Sequence, residues 1–168
     1  MCTTNRALIA SAVLAVSSLA QAQEAVIDLR FLGNDGEQVT IEAAITLPAK
    51  SAVQKWPAIV ILHHAGGWGA GTTAQYAAFL ASQGFVALEP RMFNTDGERE
   101  DTYRHMPTVF GSLAYLAGRP DVDDKKIALM GLSYGALLSL YAGTAWARAA
   151  TTPTSRIRRS RRPPKPNS

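Results

Sequence analysis

The chain has 168 residues, 47% of them apolar and 18% charged; that balance builds one globular domain and excludes wholesale disorder. A single cysteine, Cys2, excludes a disulfide scaffold. The net charge of +4 belongs to the C-terminal end, where residues 148–168 hold seven of the 17 basic residues and no acidic one; the preceding 147 residues carry ten basic against 13 acidic groups.

Residues 1–22 read as a secretory signal peptide. Arg6 precedes an apolar stretch from Ala7 to Ala20, and Ala20-Gln21-Ala22 offers small residues at a cut before Gln23. The stretch falls short of the roughly 20 residues that span a bilayer; an uncleaved anchor or an N-terminal core helix is the alternative. Cleavage removes Cys2, and with it thiol chemistry. The expected location is periplasmic or secreted, with no membrane attachment afterwards.

From residue 23 to 147 strand and helix signals alternate. Ala25–Leu32 and Gln38–Leu47 alternate apolar and polar residues around Asn34-Asp35-Gly36, which reads as a hairpin. Pro57 opens Ala58–Leu62, a β-branched apolar run suited to a strand covered on both faces. The spacing of Tyr76, Phe79 and Leu80 predicts a helix over Thr72–Gln83, stopped by Gly84. Phe85–Leu88 is a second buried strand, Pro90–Asp101 a polar loop, and Val109–Leu116 part of a second helix stopped by Gly118-Arg119-Pro120. Lys126–Met130 is a third buried strand, and Tyr134–Ala142 a third helix. Alternation of this kind means βαβ units with right-handed crossovers. Residues 148–168, with four prolines and the run Arg156-Ile157-Arg158-Arg159-Ser160-Arg161-Arg162, are expected to form a basic, Pro-rich disordered tail. A nucleic-acid-binding arm is the competing reading, and it lacks interleaved aromatics. The abruptness of the change near Trp146 suggests out-of-frame sequence, which translation of the gene's other two frames tests.

Two motifs carry chemistry. Gly131-Leu132-Ser133-Tyr134-Gly135 follows a strand and opens a helix, the context of a nucleophile elbow. The serine sits in a strained turn, so Gly131 and Gly135 must be small, and Ala136 permits close helix–strand packing. A generic Gly-rich turn is the alternative. His63-His64-Ala65-Gly66-Gly67-Trp68-Gly69 follows the first parallel strand, where small residues let backbone N–H groups approach a developing oxyanion. The expected oxyanion donors are the N–H groups of Ala65 and Tyr134. The loop lacks the lysine of a phosphate loop. Successive strand residues face opposite ways, so His63 and His64 do not share a metal ion. His64 is assigned to the pocket mouth and His63 to a hydrogen-bonded strand end.

With these residues in view, the chain resembles the dienelactone hydrolase family of the α/β-hydrolase fold. The resemblance rests on Pro57–His64, Ala81–Arg91 and Val122–Gly135 and extends over roughly residues 26–141. It implies an α/β-hydrolase-type doubly wound sheet, N-terminal portion only: a hairpin followed by parallel βα units. It further implies hydrolysis of a small-molecule ester or lactone without a cofactor or metal. The family prototype's nucleophile is cysteine; the matching residue here is Ser133, which favours serine-esterase chemistry. Arg91 matches a position where the family can place a substrate-binding arginine, or it pairs with Asp96, Glu98 or Glu100. The family's triad order is nucleophile, acid, histidine, yet residues 134–168 contain no Asp, Glu or His. The expectation is therefore a hydrolase chain of weak activity, represented by residues 23–147 as a partial domain. A non-catalytic ligand-binding module of the same fold is the alternative, with oligomeric state left open.

Overall fold

The computed structural model describes residues 22–49, 55–68, 72–93 and 102–144. The signal-peptide reading (all but Ala22), the basic tail and the acidic loop residues Asp96, Glu98 and Glu100 lie outside the described residues.

Strands β1 (Gln23–Leu32) and β2 (Gln38–Leu47) form the expected antiparallel hairpin, in register from Gln23 opposite Leu47 to Leu32 opposite Gln38. Strands β3 (Trp56–Leu62), β4 (Val86–Pro90) and β5 (Val122–Gly131) are mutually parallel and give a five-stranded mixed sheet of order β1-β2-β4-β3-β5. Two of these strands begin earlier than the apolar runs suggest. Pro57, which lacks an N–H for the ladder, coincides with a register shift: Trp56 pairs with Val122, whereas Ala58 pairs with Ile127. The polar Asp123–Lys126 segment bulges between those two anchor points.

Helix α1 (Thr72–Ser82) covers one face of the sheet, and α2 (Thr102–Ala117) and α3 (Tyr134–Ala142) cover the other. The larger core lies on the α2–α3 side, around Leu29, Ile45, Val60, Leu62, Leu88, Met106, Val109 and Leu138; a smaller one of Ile61, Ala77 and Ala87 lies under α1. Alternate residues of each strand feed one core or the other, so the parallel strands read as continuous apolar runs. Gly84 ends α1 at φ +88°, with its N–H on the Ala81 carbonyl at 3.0 Å. Helix α2 starts well before Val109 and carries Pro107 in its second turn. One lost backbone bond is tolerated there because Met106 and Val109 on either side are buried in the core.

Strand β5 pairs with β3 alone among the described strands and so forms an edge. Its Ala128 is exposed and its Ile127, Leu129 and Met130 are only half-buried, as an apolar strand suited to an interior position would be when left at the rim. Among the described residues no helix is long and apolar enough to cross a membrane.

Candidate active site

The site forms where the C-terminal ends of β3 and β5 meet the start of α3. Ser133 sits at the junction of β5 and α3 with φ 50° and ψ −110°, the one described non-glycine residue with positive φ. Such a conformation costs on the order of 1–3 kcal/mol and persists only where the surroundings impose it. They do so sterically. A Cβ on Gly131 would lie 2.1 Å from the carbonyl carbon and oxygen of Gly135, and a Cβ on Gly135 would lie 2.2 Å from the Leu62 carbonyl oxygen. Both glycines are therefore obligatory, as the spacing around Ser133 predicts. The Ser133 side chain makes no capping bond to α3, and the residue is exposed. Its carbonyl instead accepts the N–H groups of Ala136 and Leu137 at 2.9 and 3.1 Å. The result is a hydroxyl presented to solvent at the positive end of a helix.

The loop after β3 faces this turn. The Leu62 carbonyl accepts the Leu132 N–H at 3.0 Å and also meets Gly135 at close range. One carbonyl thus registers the serine turn against the His63–Trp68 loop that follows it. Within that loop the Gly66 N–H donates to His64 Nδ1 at 2.8 Å, and the Gly67 N–H to the His64 carbonyl at 3.1 Å. The Ala65 N–H is spent on no described residue. His64 is half-buried.

His63 is buried. Its Nδ1 lies 2.9 Å from the His64 carbonyl oxygen, and its Nε2 accepts the Met92 N–H at 3.1 Å. These partners assign the proton to Nδ1. Desolvation holds the imidazole below its ordinary pKa; nearby His64 and His105 push the same way, against the raising effect of the His64 carbonyl. Phe93 packs edge-on against His63 (ring centroids 4.6 Å apart) and stacks on His105 (5.2 Å). His105, from the first turn of α2, lies with Nδ1 2.8 Å from the Tyr134 hydroxyl. All three histidines of the chain therefore gather at the site, yet none bonds Ser133.

Arg91, just after β4, pairs through its guanidinium with Glu42 of β2 and lies 5.5 Å over the Trp68 ring centroid. Among the described residues its ion pair is with Glu42; the loop acids Asp96, Glu98 and Glu100 lie outside them, and neither sequence reading of Arg91 is decided. Trp68 brings the guanidinium against the His63–Trp68 loop.

Two features escaped the sequence reading. Glu89 on β4 is buried, and burial raises its pKa against the lowering effect of its hydrogen bond to Thr73 of α1. The Phe93–His105–Tyr134 stack joins residues from three segments. The sequence signal for the first is an acid inside an apolar strand; the second has none, because its members are scattered along the chain. No described group of three His, Cys, Asp or Glu is placed to hold a metal. A groove of about 460 Å³ between β1 and α2, lined by Phe31, Pro107, Phe110 and Tyr115, lies away from Ser133.

A family model described as the dienelactone hydrolase family matches residues 41–153. No curated protein matches. Among solved structures the chain is similar to a hypothetical protein from Pseudomonas aeruginosa (20% identity, TM-score 0.62, 82% of this chain and 44% of that one). It is likewise similar to a dienelactone hydrolase from Anabaena variabilis (19%, 0.59, 73% and 57%). A third is a dienelactone hydrolase-like promiscuous phosphotriesterase from metagenomic libraries (19%, 0.54, 71% and 53%). The chain thus spans about half the length of these structures, and the shared part is the N-terminal portion of an α/β-hydrolase fold.

Proposed function

The chain belongs to the dienelactone hydrolase family, and we propose that it carries the nucleophile half of a cofactor-independent hydrolase of carboxylic esters or lactones. Ser133 attacks the substrate carbonyl, the N–H groups of Ala65 and Tyr134 receive the oxyanion, and His64 and Arg91 line the approach. The observation that carries this reading is the strained Ser133 turn, held between two glycines that admit no side chain, with its hydroxyl exposed. Strain of that kind is maintained where it positions a reacting group.

Activation of the serine is a separate matter. A hydroxyl needs a base to become a good nucleophile. Residues 134–168 contain no Asp, Glu or His, and His63, His64 and His105 each hold a hydrogen bond elsewhere. The 168-residue chain then relies on oxyanion stabilisation and binding, which by themselves give roughly 10³–10⁴-fold over water. The same observation favours a second reading, a ligand-binding module that retains the pocket without turnover.

The test is reaction of the chain with p-nitrophenyl acetate, followed by intact-mass and peptide analysis. Slow, stoichiometric acylation at Ser133, abolished by Ser133→Ala, supports the nucleophile assignment. Acylation that Ser133→Ala leaves unchanged refutes it. Saturable ester binding with no acylation selects the binding module. We further propose export of the chain through its N-terminal segment; a secreted product beginning at Gln23 supports this, and an intracellular product retaining Met1 refutes it.

A further inference from the structure

We propose that His63 is a positioning residue for this site: a neutral imidazole, protonated on Nδ1, that holds the oxyanion loop to the end of β4. The proposal rests on the reading of Ala65 and Tyr134 as oxyanion donors.

The geometry is that of a clasp between two segments. On one side Nδ1–H donates to the carbonyl of His64, the residue immediately before Ala65. That carbonyl also accepts the Gly67 N–H, so it fixes both ends of the short turn containing Ala65. On the other side Nε2 accepts the Met92 N–H, 29 residues away in sequence. Met92 follows Arg91, whose own N–H is fixed to the Glu42 carbonyl at 2.9 Å. The oxyanion loop is therefore tied through one ring to β4 and, beyond it, to β2. Phe93 against the ring face, and His105 and Tyr134 beyond it, connect the same ring to the residue whose N–H is the second donor.

The clasp works in one protonation state only. A second proton on His63 turns Nε2 from acceptor into donor, facing another donor at Met92. The Nδ1 bond survives, the Met92 bond does not, and the loop loses its tie to β4. Among the described residues the titratable and charged groups around the ring are His64 on its own loop, Arg91 with its partner Glu42 beside β4, His105 on α2 and Tyr134 on α3. Arg91 and Glu42 neutralise one another, while the two histidines oppose a further positive charge. A side chain that merely filled space would not need this arrangement of one donor and one acceptor.

The test uses the full chain with 15N-labelled histidine, and phenylboronic acid as probe. The boronate adduct of a serine hydroxyl puts an oxygen where the ester oxyanion would lie, and adduct formation is followed by 11B NMR. Forming the tetrahedral adduct releases one proton to solvent, so every variant binds more weakly on acidification and affinities are compared with His63→Gln at the same pH. The wild type is expected to show the Nδ1–H tautomer at His63 at neutral pH, and to lose adduct affinity relative to His63→Gln as that ring titrates on acidification. His63→Gln restores an acceptor for Met92 N–H without a titrating proton, so its affinity should stay within about threefold of wild type at about pH 7.5 and, below that, fall only with the proton release of adduct formation. His63→Leu should weaken the adduct about tenfold at every pH, since small displacements of a donor carry large penalties. An Nε2–H tautomer, titration of His63 with no loss of adduct affinity relative to His63→Gln, or wild-type affinity in His63→Leu each overturns the positioning role. A wild-type chain that shows the Nδ1–H ring but forms no adduct at any pH refutes the acyl-transfer reading instead, and the positioning role falls with it.

Discussion

Replacing Gly135 by alanine adds one methyl group, and the structure says where it goes. The new carbon would lie 2.2 Å from the Leu62 carbonyl oxygen, 2.7 Å from the Leu62 carbonyl carbon and 2.8 Å from its Cβ. A relaxed carbon–oxygen contact needs about 3.3 Å, so something must retreat by about 1 Å. Leu62 cannot: β3 is flanked by β4 and β5, and its last carbonyl also holds Leu132 N–H. Helix α3 must therefore lift away, loosening the buried Tyr134 and Leu138 from the core. Overpacking against fixed backbone of this kind costs about 3 kcal/mol. For a domain of this size that lowers the melting temperature by about 10 °C. The assay is a thermal melt by circular dichroism beside Gly118→Ala, whose new Cβ would lie an ordinary 3.5 Å from the Ala114 carbonyl oxygen. That control should melt within about 2 °C of the parent chain, as an unclashing substitution does. A Gly135→Ala chain that also melts within about 2 °C of the parent would refute the close-packed elbow, because the clash could then be relieved at no cost.

The strain at Ser133 makes a complementary prediction. Glycine tolerates positive φ, so Ser133→Gly should stabilise the fold by about 1 kcal/mol after its extra unfolded-state entropy, whereas Ser133→Ala should not; denaturant titration of both variants checks this, and equal stabilities contradict it. Glu89 supplies a pH dependence. Its folded pKa is raised, so its contribution is fully present below the unfolded value of 4.5 and is lost as pH rises through the folded value. Glu89→Gln keeps an acceptor for Thr73 and should remove that loss, giving a flatter stability profile above about pH 4.5 and a higher melting temperature at pH 7; a variant less stable than wild type at pH 7 would show that the ionised carboxylate is favourable. The exposed edge at β5 is expected to make the chain self-associate in sedimentation runs, and Ala128→Lys, which puts a charge there, should reduce this; a monomeric parent chain or unchanged association in the variant contradicts it.

The strained turn at Ser133 was legible in the sequence because its rule is local. A strained serine between a strand and a helix leaves no room at the second residue on either side, so the glycines announce it within five positions. The hairpin was legible for a similar reason: period-two alternation on both sides of Asn34-Asp35-Gly36 defines a two-strand unit with no need of distant partners. The start of α2 was not, because Pro107 argues for a boundary and only the burial of Met106 and Val109 in the core outweighs it. Nor was the bulge at Asp123–Lys126, which arises from the pairing of Trp56 and Ala58 with residues that lie at unequal spacing.

What the sequence by itself determined is therefore the class of sheet, the position of Ser133 and the loop that faces it, all set by residues adjacent in the chain. Only the tertiary structure decided what the polar residues around them do. His63 and Met92, and His105 and Tyr134, are separated by 29 residues, and Arg91 and Glu42 by 49. Each pair is joined by strand order and helix placement, and a histidine carries no mark in the sequence of which of its nitrogens will meet a donor and which an acceptor.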